Sequence, residues 1–194
     1  MGGLTRDVIM QKAIESLRIE RDAISDIIDY LDIERFYEAV TVLSTCSKII
    51  TCAAKNVSHS LCCIERNAQF LSPAEAVHGG LGCIKRGDAV VMVSRGGKTA
   101  ELLPIIDVCN KKEAILIGIT ENLNSPLSEK SQIVVPMKIR RESDPLNIMA
   151  TSSFVVTVAI FDAMLSAIME QTGYKIEQFA LIHPGGAVGK KLNN

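Results

Sequence analysis

The chain opens with a long stretch in which apolar residues recur every three or four positions, with charged residues between them. This spacing indicates one apolar helix face. It predicts a helical N-terminal arm over residues 1–45, with a second helical segment from about residue 33 to 43. The apolar positions of the first segment are Val8, Ile9, Ala13, Leu17, Ile24, Ile27, Ile28 and Leu31.

Short apolar runs rich in β-branched residues follow the arm, and each predicts a buried strand. They cover residues 48–51, 69–71, 89–93, 114–119 and 133–135. Helical patterns separate them, at residues 53–65, 74–84, 99–110 and 149–172, with a short turn at 126–130. This alternation predicts a parallel sheet covered by helices on both faces, and we expect a single α/β domain over residues 1–194.

Composition and charge narrow the possible partners. The 194 residues include 21 Lys+Arg against 22 Asp+Glu, a net charge of −1, with no long run of one sign. Such a chain has no electrostatic footprint for a nucleic-acid backbone, so we expect no nucleic-acid partner. The six cysteines show no C-x-x-C spacing and indicate reduced core residues of a cytoplasmic protein.

No membrane segment or secretory signal is expected. Charged residues interrupt the first turns of the N-terminal stretch. The longest apolar tract, residues 154–169, contains Thr157 and Asp162. It is shorter and more polar than the about 20 apolar residues that a bilayer requires. The sequence therefore predicts neither secretion nor a membrane partner.

The segment that follows the predicted strand at 89–93 has the composition of an anion-binding loop. It reads Ser94-Arg95-Gly96-Gly97-Lys98-Thr99-Ala100-Glu101 and opens a helix. Glycines allow close approach of a ligand, while hydroxyls and free N–H groups at a helix start suit a phosphate. The spacing is not that of a P-loop. The alternative is a plain strand-to-helix turn with Thr99 as its N-cap.

A second hydroxyl cluster, Thr151-Ser152-Ser153, stands at the start of the long apolar helix. It could present hydroxyls and N–H groups to the same phosphate, or it could only cap that helix. Two such clusters in strand-to-helix context favour a phosphorylated ligand.

Three residues are candidates for proton transfer, namely Glu101, Glu142 and His183. Each has an alternative interpretation. Glu101 could only stabilise a helix dipole, and Glu142 could belong to a solvated charged surface. His183 stands in a Pro- and Gly-rich segment that indicates a defined loop or a terminal turn. Three scattered histidines and cysteines without ligand spacing predict no metal site, and we expect no cofactor.

Taken in order, five motifs resemble the sugar isomerase (SIS) domain, and most closely the isomerase domain of arabinose-5-phosphate isomerases. They are SPAEAVHGGLG at 72–82, SRGGKTAEL at 94–102, RESDPL at 141–146, ATSS at 150–153 and HPGGAVG at 183–189. The resemblance implies a three-layer α-β-α sandwich with a five-stranded parallel sheet, flavodoxin-like in type, that binds a phosphosugar at the strand ends.

The resemblance also implies roles for individual residues. Substrate contacts would come from His78, Ser94, Gly96, Gly97, Lys98, Thr99, Thr151, Ser152 and Ser153. Glu101, Glu142 and His183 would match residues implicated in catalysis. A carboxylate would move a proton between C1 and C2 through an enediol, and His183 would assist ring opening or proton relay. The family further implies a homo-oligomer, a tetramer or a dimer, in which the His loop helps to build a neighbour's site.

The chain also departs from the family pattern. Cys52 leads directly into Ala53, Ala54 and Lys55 where the family has a glycine-rich loop with a lysine, and Gly96 replaces a serine. Two hypotheses follow. The first is a phosphosugar isomerase, on the strength of Glu101, Glu142 and His183. The second is a non-catalytic phosphosugar-binding module, suggested by the departure from the glycine-rich loop. We also expect no pair of CBS modules.

Overall fold

The computed structural model describes residues 5–52, 55–185, 189 and 191. The described chain forms a parallel sheet of five strands, in the order β2-β1-β3-β4-β5. The strands are β1 (Ile49–Cys52), β2 (Ala68–Phe70), β3 (Ala89–Val93), β4 (Ile115–Thr120) and β5 (Ile133–Pro136). This confirms the predicted fold class. Because β1 lies between β2 and β3, the strand order reverses between β1 and β3, which is where such sheets bind ligands.

Helices cover both faces of this sheet. They are α1 (Arg6–Ser25), α2 (Ile27–Tyr30), α3 (Ile33–Thr45), α4 (Lys55–Cys62), α5 (Pro73–Ala76), α6 (Leu103–Lys111), α7 (Pro126–Lys130), α8 (Ser152–Thr172) and α9 (Ile176–Ile182). Single 3-10 turns occur at Gly80–Cys83 and Ala100–Leu102.

Successive residues of each strand pack alternately into two hydrophobic cores, one on each face of the sheet. Ile49 and Val91 point to one face, where helices α1, α3, α4 and α8 pack. Ile50 and Val90 point to the other, where α5, α6 and α7 pack. This alternation is the period of two that a strand imposes on its side chains, and burial of both faces explains why the strands are continuously apolar.

Some expected elements differ from the structure. The helix predicted over 74–84 is interrupted: α5 ends at Ala76, and Gly79 adopts a φ of +105° directly before the 3-10 turn, which a continuous helix cannot contain. Strand β2 lies at the sheet edge and is only partly buried, with Gln69 exposed. Helix α9 has no counterpart among the predicted elements. Of the cysteines expected in the core, Cys62 is exposed.

Helix α8 is longer than the apolar tract seen in the sequence. Its 21 residues are long and apolar enough to span a membrane by length and composition alone. Its residues Val156, Ile160, Met164 and Ile168 are nevertheless buried in the core shared with the sheet. Packing against the sheet accounts for part of its apolar character, while Phe154, Val158 and Met169 remain exposed.

Candidate functional site

A cavity of about 370 Å³ lies at the carboxyl edge of the sheet, beside the point where the strand order reverses. The segments after β1, β3 and β5 form its walls together with the first turns of α8. Its polar lining consists of Lys55, Asn56, Ser94, Arg95, Ser153 and Thr157, and Met137, Phe154 and three valines supply apolar surface. The cavity therefore offers cations and hydroxyls beside an apolar wall, a combination that suits a small polar anion.

The loop after β3 is held in a single tight shape. Ser94 Oγ accepts a hydrogen bond from the Gly97 N–H at 3.0 Å and lies 2.8 Å from Thr99 Oγ1. Gly97 has a φ of +64°, and a Cβ there would lie 2.0 Å from Ser125 Oγ. Any side chain at this position would collide with the next loop. The glycine is thus required by the close packing of the loops after β3 and β4.

Thr99 precedes the 3-10 turn, but its hydroxyl makes no cap hydrogen bond to the backbone of that turn. The plain capping alternative therefore does not describe this side chain. Gly96 and Lys98 are exposed at the tip of the loop. Lys98 has no ion-pair partner within the described ranges, so its ammonium group is available to an anion.

Glu142 is the most constrained carboxylate near the cavity. It is only 3% exposed, and its Oε2 accepts hydrogen bonds from the Thr151 N–H at 3.0 Å, the Thr151 hydroxyl at 3.2 Å and the Ser153 N–H at 3.0 Å. Its Oε1 accepts from Arg95 Nη1 at 3.1 Å. Burial alone raises the pKa of Glu142, but the hydrogen bonds from Ser153 and Thr151 outweigh it and hold the pKa below its ordinary value.

These contacts change two interpretations of the sequence. Glu142 is not part of a solvated surface, because it lies under the N-terminus of α8. The N–H groups of Thr151 and Ser153 bind this carboxylate, which satisfies donors that a helix start leaves without intrahelical partners. Ser152 is fully buried, and its Oγ has no hydrogen-bond partner in the described chain.

Arg95 joins three loops at the cavity wall. Its Nε donates to Glu121 Oε2 at 2.6 Å, and its Nη1 donates to Glu142 Oε1. The hydrogen bond to Glu121 is the main reason that the pKa of Arg95 lies above its usual value, and the negative charges of Glu121 and Glu142 add to it. The guanidinium is thus charged and fixed between the loops after β3, β4 and β5.

The remaining predicted residues lie elsewhere. Glu101 is exposed on the 3-10 turn that α5 contacts, so it stands close to the segment of His78, which is also exposed. His183 stacks on Phe179, with ring centroids 3.8 Å apart, and its Nδ1 lies 3.0 Å from the Phe179 carbonyl oxygen. Within the described residues these contacts keep the imidazole on its own helix. The rest of its loop, residues 186–188, lies outside the described residues.

The sequence pattern assigns no role to two residues that line the cavity. Lys55 stands in the sequence only as a nearby cation, yet it lines the cavity at the start of α4. It has no ion-pair partner in the part of the chain that the structure describes. The sequence analysis includes Arg95 in the loop after β3 but assigns it no role. A charged residue two positions after an apolar strand was the available signal for Arg95, and the predicted position of β1 was the signal for Lys55. Across the described ranges, no cluster of His, Cys, Asp or Glu is arranged to hold a metal ion.

Comparisons with known proteins identify the family and the fold. The family model for the SIS domain matches residues 50–167. The chain is 29% identical over 190 residues to the Pseudomonas aeruginosa arabinose 5-phosphate isomerase KdsD, covering 94% of this chain and 58% of that protein. It is 31% identical over 196 residues to the Salmonella typhimurium arabinose 5-phosphate isomerase GutQ, covering 97% of this chain and 61% of that protein. The chain thus spans about three fifths of these relatives.

Solved structures give the same picture. A candidate sugar-phosphate isomerase from Listeria monocytogenes superposes with a TM-score of 0.91 at 37% identity, over 94% of this chain and all (100%) of that one. A protein of E. coli CFT073 in complex with arabinose 5-phosphate superposes with a TM-score of 0.86 at 24% identity, over 93% and 100%. The Vibrio vulnificus NanR protein complexed with ManNAc-6P has a TM-score of 0.76 at 17% identity, over 94% and 71%. The last two share the fold.

Proposed function

Because this chain belongs to the SIS-domain family, we propose that it is a phosphosugar aldose-ketose isomerase. The proposed reaction interconverts arabinose 5-phosphate and ribulose 5-phosphate, or a similar sugar phosphate. One observation carries the proposal: the cavity at the strand-order reversal combines Lys55, which has no ion-pair partner among the described residues, with the hydroxyl residues Ser94 and Ser153. The relatives KdsD and GutQ support the same reaction class.

The site residues can be assigned on chemical grounds. Lys55 and Lys98 supply positive charge for the phosphate, and Gly96, Ser94 and Thr99 supply N–H and hydroxyl donors. Gly97, whose N–H already donates to Ser94 Oγ, holds the shape of this loop. Ser153 lines the opposite wall at the start of α8, and Thr151 and the buried Ser152 stand directly before it in the chain. His78 would contact the sugar from the neighbouring segment.

The isomerisation needs a base that removes a proton from the carbon beside the carbonyl and returns it to the other carbon. Glu142 or Glu101 performs this transfer through an enediol, while the carbonyl and hydroxyl oxygens exchange a proton. Glu142 is held ionised, and its Oε1 accepts one hydrogen bond from the described residues, which leaves a lone pair for a proton. Glu101 is more exposed. His183 would assist ring opening or proton relay.

The proposed assembly is a cytoplasmic homo-oligomer, a dimer or a tetramer. Large apolar residues remain exposed on α1 and α8, including Ile9, Leu17 and Phe154. An exposed apolar surface of this kind is typical of an interface. Within one chain, the described contacts of His183 are with Phe179 and not with the cavity. In the proposed oligomer, the His183 of a second copy would reach the cavity.

Proton NMR of the protein with ribulose 5-phosphate in D2O tests the function. We expect arabinose 5-phosphate to appear with deuterium at the carbon that exchanges its proton. The Glu142→Gln protein is the control and should bind ligand without turnover. If Glu142→Gln remained fully active, the assignment of Glu142 as base would be wrong and Glu101 would be the base.

The second candidate function is a non-catalytic phosphosugar-binding module that regulates another process. It is supported by the departure from the glycine-rich loop after β1. This alternative predicts that phosphosugars raise the melting temperature while no pentose or hexose phosphate is isomerised. Deuterium incorporation in the NMR experiment excludes it.

A further inference from the structure

Arg95 carries a hydrogen-bonding group that the proposed chemistry does not use. Two nitrogens of its guanidinium are occupied, Nε by Glu121 and Nη1 by Glu142. Its Nη2 donates to no residue of the described ranges, although the side chain lines the cavity and is 41% exposed. A guanidinium has donors in a rigid plane, so fixing two nitrogens also fixes the direction of the third.

The backbone of Arg95 is held as firmly as its side chain. Its carbonyl oxygen accepts hydrogen bonds from the Thr120 hydroxyl at 3.1 Å and from the Glu121 N–H at 3.1 Å. A donor that is already ordered loses little conformational entropy when it binds a ligand. Arg95 therefore resembles a preorganised ligand contact more than a mobile surface arginine.

The charges around Arg95 indicate what kind of atom it binds. Two carboxylates, Glu121 and Glu142, face its one positive charge. The cluster has no excess positive charge to attract a phosphate dianion. Lys55, which lines the same cavity without an ion-pair partner among the described residues, has that charge. The two cations of the cavity are thus suited to different parts of a ligand.

We propose that Arg95 Nη2 binds an uncharged oxygen of the ligand, a sugar hydroxyl or the carbonyl, while the phosphate is bound elsewhere in the cavity. This inference rests on the proposed binding of a phosphosugar. It adds a residue that recognises the sugar portion, and Glu121 and Glu142 act as the residues that position it. A donor fixed at a carbonyl oxygen would also stabilise negative charge that develops there.

Isothermal titration with two probes tests this division of roles. Inorganic phosphate reports the phosphate subsite alone, and arabitol 5-phosphate adds the sugar hydroxyls but cannot isomerise. In Arg95→Gln we expect affinity for arabitol 5-phosphate to fall about tenfold or more, as for loss of a charge-assisted hydrogen bond. Affinity for inorganic phosphate should fall by a clearly smaller factor, because Arg95→Gln leaves Glu121 and Glu142 unneutralised beside the cavity but removes no hydrogen bond to the phosphate.

Three further variants separate binding from folding. Arg95→Lys keeps the charge but lacks the planar fork, so it should recover only part of the affinity. Glu121→Gln keeps the guanidinium but weakens the contact that orients it. The loss of affinity for arabitol 5-phosphate should therefore be smaller than in Arg95→Gln. Arg86→Gln removes an 80% exposed arginine that pairs with Glu113 before β3 and should change nothing. Circular dichroism and melting temperature identify any variant that does not fold.

Equal loss of affinity for both probes would overturn the proposal, because Arg95 would then be a phosphate ligand. Unchanged affinity for both would also overturn it, because Arg95 would only brace the loops. If the wild-type protein binds arabitol 5-phosphate in the expected way but isomerises nothing, the isomerase function fails and the role of Arg95 stands. If the wild-type protein binds neither probe, both are overturned.

Discussion

The carboxylate of Glu142 lies 3.0 Å from the backbone N–H of Ser153 and accepts its hydrogen bond. This contact ties the loop after β5 to the first turn of α8. It places a buried negative charge at the positive end of a 21-residue helix. The same carboxylate holds Arg95, so a single buried residue connects the helix, the loop after β3 and the cavity.

Replacing Glu142 should lower stability at neutral pH. Glu142→Gln removes the charge that the α8 N–H groups and Arg95 share, and we expect a loss of about 1–3 kcal/mol in the free energy of unfolding. Urea denaturation at pH 7 measures it. Glu101→Gln is the matched control, and because Glu101 is exposed its unfolding free energy should change by less than about 0.5 kcal/mol.

The contribution of Glu142 to stability should depend on pH in one direction. Its pKa in the folded protein lies below the ordinary value of 4.5. The unfolded chain therefore binds the proton first, so the stabilisation is complete above pH 4.5 and is lost as the pH falls through the folded pKa. The difference in unfolding free energy between wild type and Glu142→Gln should shrink on acidification. A constant difference down to the acid transition would contradict the lowered pKa.

A methyl group at Gly97 should disrupt the loop after β3. Gly97→Ala forces an alanine into a φ of +64° and puts its Cβ 2.0 Å from Ser125 Oγ. We expect a loss of about 2–3 kcal/mol in unfolding free energy together with weaker phosphate binding. Gly96→Ala is the control, since no atom lies within 4 Å of a Cβ there. Equal stability of the two variants would show that the two loops are not packed as described.

Lys55 should dominate phosphate affinity. Lys55→Gln removes a cation that lines the cavity and has no ion-pair partner in the described part of the chain, and we expect the Kd for inorganic phosphate to rise about tenfold. The binding should also lose part of its salt dependence. Lys111→Gln, an exposed residue at the end of α6, serves as the control. Lys98→Gln distinguishes the two candidate cations, because a larger effect there would move the phosphate to the loop tip.

His183 should act on the site of a second copy. Within one chain its described contacts remain on Phe179. His183→Asn and Glu142→Gln should each be inactive alone, whereas mixing the two proteins under conditions of subunit exchange should restore part of the activity. Absence of any recovery despite proven exchange would place His183 in the site of its own chain or outside catalysis.

The cysteines should differ sharply in reactivity. Burial raises the pKa of Cys52 and of Cys109 to about 12, and both are fully shielded from solvent. The thiolate is the reactive form, so neither should react with a disulfide reagent until the protein unfolds. The exposed Cys62 should react rapidly in the native protein, and Cys62→Ser should remove that fast phase. Rapid native labelling of Cys109 would contradict the packing of α6 on the sheet.

Much of the architecture follows from local sequence patterns. Apolar runs at residues 48–51, 89–93 and 133–135 predict strands within about one residue of those observed. The prediction succeeds because a buried strand needs a run of consecutive apolar residues, which is visible in the sequence. The resemblance to the SIS domain located the candidate loops, and of these the structure places the loop after β3 and the start of α8 at the cavity. The break at Gly79 was not predictable, because a glycine tolerates both helical and left-handed backbone and its neighbours decide between them.

The sequence by itself determined the class of fold and which loops meet at the carboxyl edge. Tertiary structure alone decided which side chains share an environment. Glu142 stands in a charged stretch that resembles solvated surface, yet it is buried because the start of α8, nine residues further along the chain, packs over it. Arg95 reaches Glu142 across 47 residues of chain. Burial, ion pairing and pKa depend on distances through space. The order of residues along the chain does not give the distance between two loops in the folded protein.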